Sequence, residues 1–424
     1  HKFIRDSRAY LAVLALSPAI FFVTLLSAFR GYLQGWQLMT PTAVSQIFEQ
    51  LFRVGAMLGF AVWLLPQGIE YAAGGASMGA GAGAVAGLAV LIYYYNKLQK
   101  KVASNSMTQS EVITESTSSV LQRMTKLALP VSLSSIMLPL VANLDLFIVP
   151  ARLEKAGYSV NEATELFGYL TGMAVPLMNL ATIVTAALAT SLVPALADAA
   201  AIGNKPKISQ RTGTALRLAN LVTIPAAIGL WILATPLASS IYHAPQAGEV
   251  IRVIAIGVYM LGIHQVTTGV LQGMGYTFLP VINMGVAAIV KVVLNWSLTA
   301  VPSLGILGAG WATNADIGVA TVLNLWYVYR YSKFHLDMSD LGKILVAAII
   351  MGISTDGLYV LLMMRGLDDN LVLLLAVVSA VIIYGMVLLV LGGVTKEDLS
   401  KIPLAGFWLT FLLTRVGLIK PGKN

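Results

Sequence analysis

The sequence predicts an all-α polytopic membrane protein, and three observations support this fold class. Of its 424 residues, 57% are hydrophobic and 11% are charged, at a mean hydropathy of +0.80, whereas soluble domains carry about 25% charged residues. The apolar residues form continuous runs long enough for helical spans of about 20 residues, unlike the alternating segments of a membrane β-barrel. The basic residues gather between those runs. This composition excludes a soluble enzyme, a secreted domain and a disordered scaffold.

Charge-poor runs divide the chain into eleven predicted spans. Gly and Pro residues mark the breaks where two spans follow each other without an intervening charge. The predicted spans are 9–29, 43–65, 71–96, 127–150, one within 166–197, one within 213–242, 250–271, 279–300, 306–330, 342–364 and 370–393. The apolar stretch within 396–424 is too short to span comfortably and predicts an interfacial helix.

The basic residues predict the orientation of these spans. When the spans alternate, 17 of the 27 Lys and Arg residues fall on the side of the 97–126 segment and 7 fall on the opposite side. Cytoplasmic loops are enriched in Lys and Arg, so we expect the 97–126 segment to be cytoplasmic and the first residues to lie outside. The net charge of +8 is thereby assigned to membrane orientation, and no nucleic acid is predicted as a partner.

An internal repeat relates two parts of the chain at an offset of 238 residues. The segment GYLQG at 31–35 aligns with GVLQG at 269–273, which places Gln34 opposite Gln272. The same offset places Arg53 opposite Lys291. An even number of spans separates the copies, so the repeat is parallel, as in transporters built from two similar halves. Three spans precede the second copy within its half, and we expect three further helices upstream of the first copy.

A few ionisable residues lie inside predicted spans, where each costs at least about 2.5–3.5 kcal/mol on insertion scales. Glu49 and Arg53 are spaced i, i+4 and can pair on one helix face. The second half contains a candidate ion-pair or cation cluster. Its members are Asp145, Lys291, Asn295 and Asp316. A purely structural ion-pair network is the alternative at both places.

The third predicted span carries a ridge of small residues that predicts close helix packing. Gly75, Gly79, Gly83 and Gly87 recur at intervals of four, which places them on one helix face.

The sequence lacks common motifs of metal binding and of ATP hydrolysis. There is no cysteine, no Walker A motif and no HExxH motif, so we expect no metal site, no cofactor and no ATP-hydrolysing enzyme.

Two long runs carry a family resemblance. The run at 17–54, SPAIFFVTLLSAFRGYLQGWQLMTPTAVSQIFEQLFRV, resembles the stage V sporulation protein B and polysaccharide exporter branch of the multidrug/oligosaccharidyl-lipid/polysaccharide (MOP) flippase superfamily. The region 138–199 resembles the same branch, and the resemblance extends over essentially the whole chain. It implies fourteen helices in two pseudo-symmetric six-helix lobes around a central cavity, with two additional C-terminal helices. About eleven of those helices are expected in this chain.

This resemblance implies a domain division of the chain. The predicted parts are an incomplete N-lobe (1–100), a cytoplasmic inter-lobe linker (101–126), a six-helix C-lobe (127–332), two additional helices (333–395) and a cytoplasmic interfacial tail (396–424). The resemblance also implies a multi-pass protein of the bacterial cell membrane. We expect a monomer whose partners are the lipid bilayer and a lipid-linked oligosaccharide.

The implied activity is a flippase that moves an undecaprenyl-pyrophosphate-linked sugar from the inner to the outer leaflet by alternating access. Lipid II or a polysaccharide repeat unit would be the cargo, in peptidoglycan or polysaccharide biosynthesis for the cell wall. The candidate substrate-binding residues are Arg53, Lys291, Glu49, Gln34 and Gln272. A cation-coupled multidrug or metabolite exporter of the same superfamily is the alternative, and a non-transporting membrane scaffold is a third possibility.

A cation site in the second lobe is a further implication of the resemblance. Some relatives hold sodium there with an Asp and an Asn/Asp pair four residues apart. In this sequence Asp145 matches the Asp, while Lys291 occupies the first position of the pair and Asn295 the second. We therefore expect the Lys291 ammonium to replace the sodium ion and to pair with Asp145.

Overall fold

The computed structural model describes residues 10–105, 116–335 and 337–393, and within those ranges the chain is helical with no β-strand. The predicted tail helix within 396–424 lies outside the described residues. The helices are α1 (Tyr10–Gly35), α2 (Met39–Leu64), α3 (Ile69–Asn105), α4 (Thr117–Lys155), α5 (Val160–Gly168), α6 (Val175–Ala181), α7 (Ile183–Ala201), α8 (Lys205–Ile232), α9 (Ala234–Tyr242), α10 (Ala247–Gly273), α11 (Leu279–Leu298), α12 (Ile306–Ser332), α13 (Met338–Met364) and α14 (Asp369–Val390). They form two compact units that divide between Ser116 and Thr117.

Ten helices in the described ranges are long and apolar enough to cross a membrane, which confirms a polytopic protein. The fourth of the eleven predicted spans lies in α4, which is not one of these ten helices. This helix contains three prolines, several hydroxyl side chains and Asp145. Its crossing of the bilayer stays a prediction. The fifth predicted span is broken, because a π-helical turn at Tyr169–Ala174 precedes α6 and a break at Thr182 precedes α7.

In the first unit, α1 and α2 both pack on α3. The glycine ridge of α3 lies directly against the α2 backbone. A Cβ atom added at Gly83 would lie 2.6 Å from the carbonyl oxygen of Glu49, and one added at Gly79 would lie 2.7 Å from that of Arg53. Such distances leave no room for a side chain, so the ridge brings α2 into backbone contact with α3 at the two charged residues.

In the second unit, α10 is the central helix and packs against α7, α8 and α12. Its fully buried side chains include Ile251, Ile254 and Val258. Helix α11 packs against α12 and α4, while α13 pairs with α14 and packs on α8. Many large apolar side chains point outward on the peripheral helices, which is the surface expected to contact lipid.

The predicted linker at 101–126 is helical at both described ends. Helix α3 runs on to Asn105, and α4 begins at Thr117. The polar residues near these ends continue the two helices beyond their apolar parts, and the role of 101–126 as a linker between lobes stays a prediction. The division between the two compact units falls at this connection.

The internal repeat is visible in the backbone at the ends of α1 and α10. Three hydrogen bonds close the turn after α1, and the same three, displaced by 238 residues, close the turn after α10. The donor and acceptor pairs are Trp36–Tyr32, Gln37–Gln34 and Leu38–Leu33 in the first copy, and Met274–Val270, Gly275–Gln272 and Tyr276–Leu271 in the second. Gln37 and Gly275 both have positive φ, +58° and +87°, as a Schellman helix end requires.

Candidate functional site

In the first unit, two arginines share one carboxylate. Arg30 Nη2 on α1 donates to Glu49 Oε2 on α2 at 3.1 Å. Arg53 Nη2 donates to the other oxygen of the same carboxylate, Glu49 Oε1. Arg30 Nη2 also lies 3.1 Å from Ser45 Oγ. Glu49 is buried, whereas 19% of the Arg30 side chain and 37% of the Arg53 side chain are exposed.

The cluster formed by Arg30, Glu49 and Arg53, called here the first-unit cluster, carries a net positive charge. Its geometry follows from the i, i+4 spacing of Glu49 and Arg53 on α2 and from the packing of both α1 and α2 on α3. Sequence reasoning paired Glu49 with Arg53 and missed Arg30. That arginine ends a charge-free run and was assigned to membrane orientation, but α1 continues past it to Gly35. The position of Arg30, about one turn before the end of a long helix, was the signal that could have identified it.

In the second unit, Lys291 on α11 pairs with Asp145 on α4 at an Nζ to Oδ2 distance of 2.7 Å. Asn295 Nδ2 donates to the other oxygen, Asp145 Oδ1, at 2.8 Å. All three residues are buried, with Lys291 at 5% exposure. The carbonyl oxygen of Asn295, Oδ1, has no hydrogen-bond partner in the described part of the chain. We call Asp145, Lys291 and Asn295 the second-unit cluster.

A contact between α4 and α11 fixes the neighbourhood of this cluster. Arg152 Nε donates to the Trp296 carbonyl oxygen at 2.8 Å, and its guanidinium lies 4.3 Å from the centre of the Trp296 ring. Trp296 directly follows Asn295 in α11. The cation–π contact and the hydrogen bond therefore hold α4 beside the part of α11 that carries the cluster.

Asp316 lies on α12 and is buried, but it makes no hydrogen bond or ion pair with another described residue. The charges of Lys291 and Asp145 both act on it electrostatically. Its neighbour Asn314 takes a structural role, since Nδ2 donates to the Val253 carbonyl oxygen of α10 at 2.7 Å. Lys291, Asp145 and Asp316 together carry one net negative charge.

The two predicted glutamines lie in equivalent places at the repeated helix ends, and both are half-buried. Gln34 Nε2 lies 3.5 Å from Thr42 Oγ1. The side chain of Gln272 makes no hydrogen bond with the described residues. Within the described residues, neither glutamine hydrogen-bonds to the charged cluster of its own unit.

A neutral polar network in the second unit was missed by sequence reasoning. Asn283 Nδ2 donates to Asn324 Oδ1 at 2.7 Å, and Asn324 Nδ2 donates to Thr268 Oγ1 at 2.9 Å. The repeat offset places Thr268 at the position of Arg30 and Asn283 at the position of Ser45. At these positions the first unit joins its two helices directly through Arg30 and Ser45, whereas the second unit joins them through Asn324 of α12.

The apolar helices, with ion pairs buried among them, show what class of protein this is. It is a polytopic α-helical membrane protein with polar sites inside its spans. A family model described as "Polysaccharide biosynthesis protein" matches residues 4–200, and one described as "MatE" matches residues 170–297. These two matches confirm the predicted resemblance to the multidrug/oligosaccharidyl-lipid/polysaccharide flippase superfamily. The chain is a multi-pass protein of the plasma membrane.

Individual relatives agree with this assignment. Stage V sporulation protein B of Bacillus subtilis is 28% identical over 412 residues, which cover 95% of this chain and 77% of that protein. The lipid II flippase MurJ of the same organism is 25% identical over 344 residues, covering 79% of this chain and 62% of that protein. A solved structure of lipid II flippase MurJ in an inward closed conformation matches 89% of this chain and 72% of its own, with a TM-score of 0.54 at 16% identity. That likeness shows the fold.

Proposed function

We propose that the protein is a flippase for an undecaprenyl-pyrophosphate-linked sugar, moved from the inner to the outer leaflet by alternating access. The observation that carries the proposal is the pair of cations at equivalent positions of the repeat. Arg53 and Lys291 each lie on the helix after the repeated turn, and each is held by a carboxylate, Glu49 or Asp145. The name of one relative, a lipid II flippase, supports a lipid-linked cargo.

The chemistry of the cargo fits these residues. A diphosphate group is recognised by Arg and Lys side chains, with the planar guanidinium well suited to phosphate oxygens. An inside-negative membrane potential favours outward movement of an anion by about 2.3 kcal/mol per charge per 100 mV. The proposal needs no ATP hydrolysis, in keeping with a sequence that contains no Walker A motif.

The test is reconstitution of the purified protein in liposomes with a fluorescent lipid-linked diphosphate sugar, such as lipid II. Outer-leaflet appearance is read by accessibility to an added enzyme or quencher. Protein-dependent translocation of the diphosphate lipid, with none for a phospholipid of the same fluorophore, supports the proposal. Equal rates for both lipids, or none for either, would overturn it.

One observation favours a cation-coupled exporter as a second candidate. Asp145 and Asp316 together exceed the single charge of Lys291, and Asn295 Oδ1 has no partner among the described residues. Carboxylate and amide oxygens of this kind suit a small hard cation. Uptake of an ion in exchange for an organic cation, measured in the same liposomes, would favour this candidate over the flippase.

A further inference from the structure

The first-unit cluster holds more hydrogen-bond donors than its one carboxylate can use. Each guanidinium carries several N–H groups in a planar fork, yet Glu49 receives one contact from Arg30 and one from Arg53. The Nε atoms of both arginines are buried and have no partner in the described part of the chain. A single carboxylate therefore leaves one net positive charge and unused donors at both guanidiniums.

Comparison of the two repeats indicates that the fold does not require these charges. In the second unit, the positions equivalent to Arg30, Ser45 and Glu49 are Thr268, Asn283 and Ala287. Thr268 and Asn283 are joined through Asn324 by neutral hydrogen bonds. The equivalent helices of the second unit thus pack without charges at these positions, so Arg30 and Glu49 are not needed for the packing.

We infer that Arg30 and Arg53 form a two-guanidinium site for a diphosphate, and that Glu49 occupies this site as an internal anion while the ligand is absent. This inference rests on the proposed function for its lipid-linked ligand, and it adds Arg30 to the contacts. A diphosphate offers one phosphate to each guanidinium and accepts the unused N–H donors. Glu49 then gives up its contacts with the guanidiniums.

The role of Glu49 follows from the cost of bare cations in a membrane. Two unpaired guanidiniums inside a span are expensive, and an empty carrier must still change conformation to begin another cycle. With Glu49 in place, the empty site carries one net charge. The carboxylate thereby lowers the cost of the empty state and competes with the ligand, so its removal strengthens anion binding.

The experiment is titration of the purified full-length protein with inorganic pyrophosphate, followed by calorimetry. Glu49→Gln keeps the shape and removes the competing charge, so we expect pyrophosphate affinity to rise by about tenfold or more. Arg30→Gln is expected to weaken binding by about tenfold. Arg252→Gln is the matched control, because Arg252 pairs with the exposed Glu249 at 2.7 Å in the second unit and its substitution leaves the affinity unchanged.

An unchanged or weaker affinity in Glu49→Gln overturns the internal-anion role, and an unchanged affinity in Arg30→Gln overturns the site. If Glu49→Gln does not fold, Arg30→Lys serves instead. It keeps the charge but loses the planar fork, so weaker pyrophosphate binding is expected and equal binding contradicts the site.

Further ligands separate this inference from the proposed function. Competition of pyrophosphate by an isoprenyl diphosphate, but not by a nucleoside diphosphate sugar, assigns the site to a lipid headgroup; the reverse assigns it to a soluble diphosphate. The predicted affinity changes without lipid translocation would leave the site standing and reject the flippase. Translocation without those affinity changes would support the flippase and reject the site.

Discussion

Lys291 and Asp145 join α11 to α4 through a buried ion pair of 2.7 Å, and the second carboxylate oxygen is bound by the amide of Asn295 one turn further along α11. One face of α11 therefore satisfies both oxygens of a carboxylate on another helix. A buried charge that loses its partner costs about 3–5 kcal/mol. The stability of this contact thus depends on a cation beside Asp145.

We expect Lys291→Ala to become stabilised by sodium. The substitution removes the ammonium and leaves the Asp145 carboxylate without its cation. Carboxylate oxygens suit a small hard cation. The variant should lose about 3–5 kcal/mol in sodium-free buffer and recover part of it in sodium chloride. Thermal unfolding in sodium and in choline chloride measures the difference.

Lys343→Ala is the control, because Lys343 pairs with Asp340 at 3.3 Å and is a third exposed. This variant should unfold at the same temperature in both salts. A wild-type protein that needs sodium, and loses that dependence in Lys291→Ala, would contradict the replacement of a bound ion by the lysine.

Arg53→Ala is expected to abolish translocation of the lipid-linked cargo while the protein still inserts into the membrane. The substitution removes one of two guanidiniums and leaves Arg30 paired with Glu49, so the loss should affect transport more than folding. Arg53→Lys should keep measurable transport, since lysine is the residue at the equivalent position of the second unit. Transport rates are compared at equal amounts of reconstituted protein, and transport by Arg53→Ala at the wild-type rate would remove Arg53 from the site.

The sequence predicts those parts of the site that depend on local spacing. Glu49 and Arg53 lie one turn apart, so any helix brings them together, and a lone carboxylate in an apolar run such as Asp145 requires a partner. Arg30 meets Glu49 across 19 positions of sequence, through a helix–helix contact that no local pattern contains. Asn324 also makes its hydrogen bonds across a helix–helix contact. Its neutral side chain costs little inside a span, so its presence in the sequence does not indicate a site.

The fold shows the same division between local and tertiary causes. Continuous apolar runs predict most spans because a helix is the structure that satisfies the backbone in lipid. The π-helical turn at Tyr169–Ala174 and the break at Thr182 divide the fifth span without any change in hydropathy. Both features lie in a segment that packs against α10, a long-range contact that the sequence of the segment alone does not report.

The start of α5 provides a prediction about pH. Ser159 caps this helix, and the Glu162 carboxylate accepts from the Ser159 backbone N–H at 2.8 Å. That hydrogen bond, with a second one from the Ser159 hydroxyl, lowers the pKa of Glu162 below its ordinary value. A carboxyl with a lowered folded-state pKa stabilises the fold above its unfolded pKa, and this stabilisation is lost as pH falls through the folded value.

We therefore expect amide protection factors at 160–165, which are corrected for the intrinsic pH dependence of exchange, to be high at neutral pH and lower in acid. Glu162→Gln should weaken the protection at neutral pH and reduce its dependence on pH, because the neutral amide does not titrate. Exchange at the start of α8, where Asn204 caps the helix through its uncharged side chain, serves as an internal control. Equal pH dependence in the wild type and in Glu162→Gln would contradict the role of the carboxylate.

The glycine ridge of α3 allows a test with a matched control on one helix. Gly83→Ala places a methyl group 2.6 Å from the Glu49 carbonyl oxygen, so α2 must move away, at a cost of about 1–3 kcal/mol for overpacking. Gly81→Ala on the same helix meets its nearest atom at 3.9 Å, an ordinary contact, and should be tolerated. Because α2 carries Glu49 and Arg53, Gly83→Ala should lower both the unfolding temperature and the affinity for pyrophosphate, whereas Gly81→Ala should change neither. Equal effects of the two substitutions on unfolding would mean that helix propensity, rather than the contact with α2, determines the outcome.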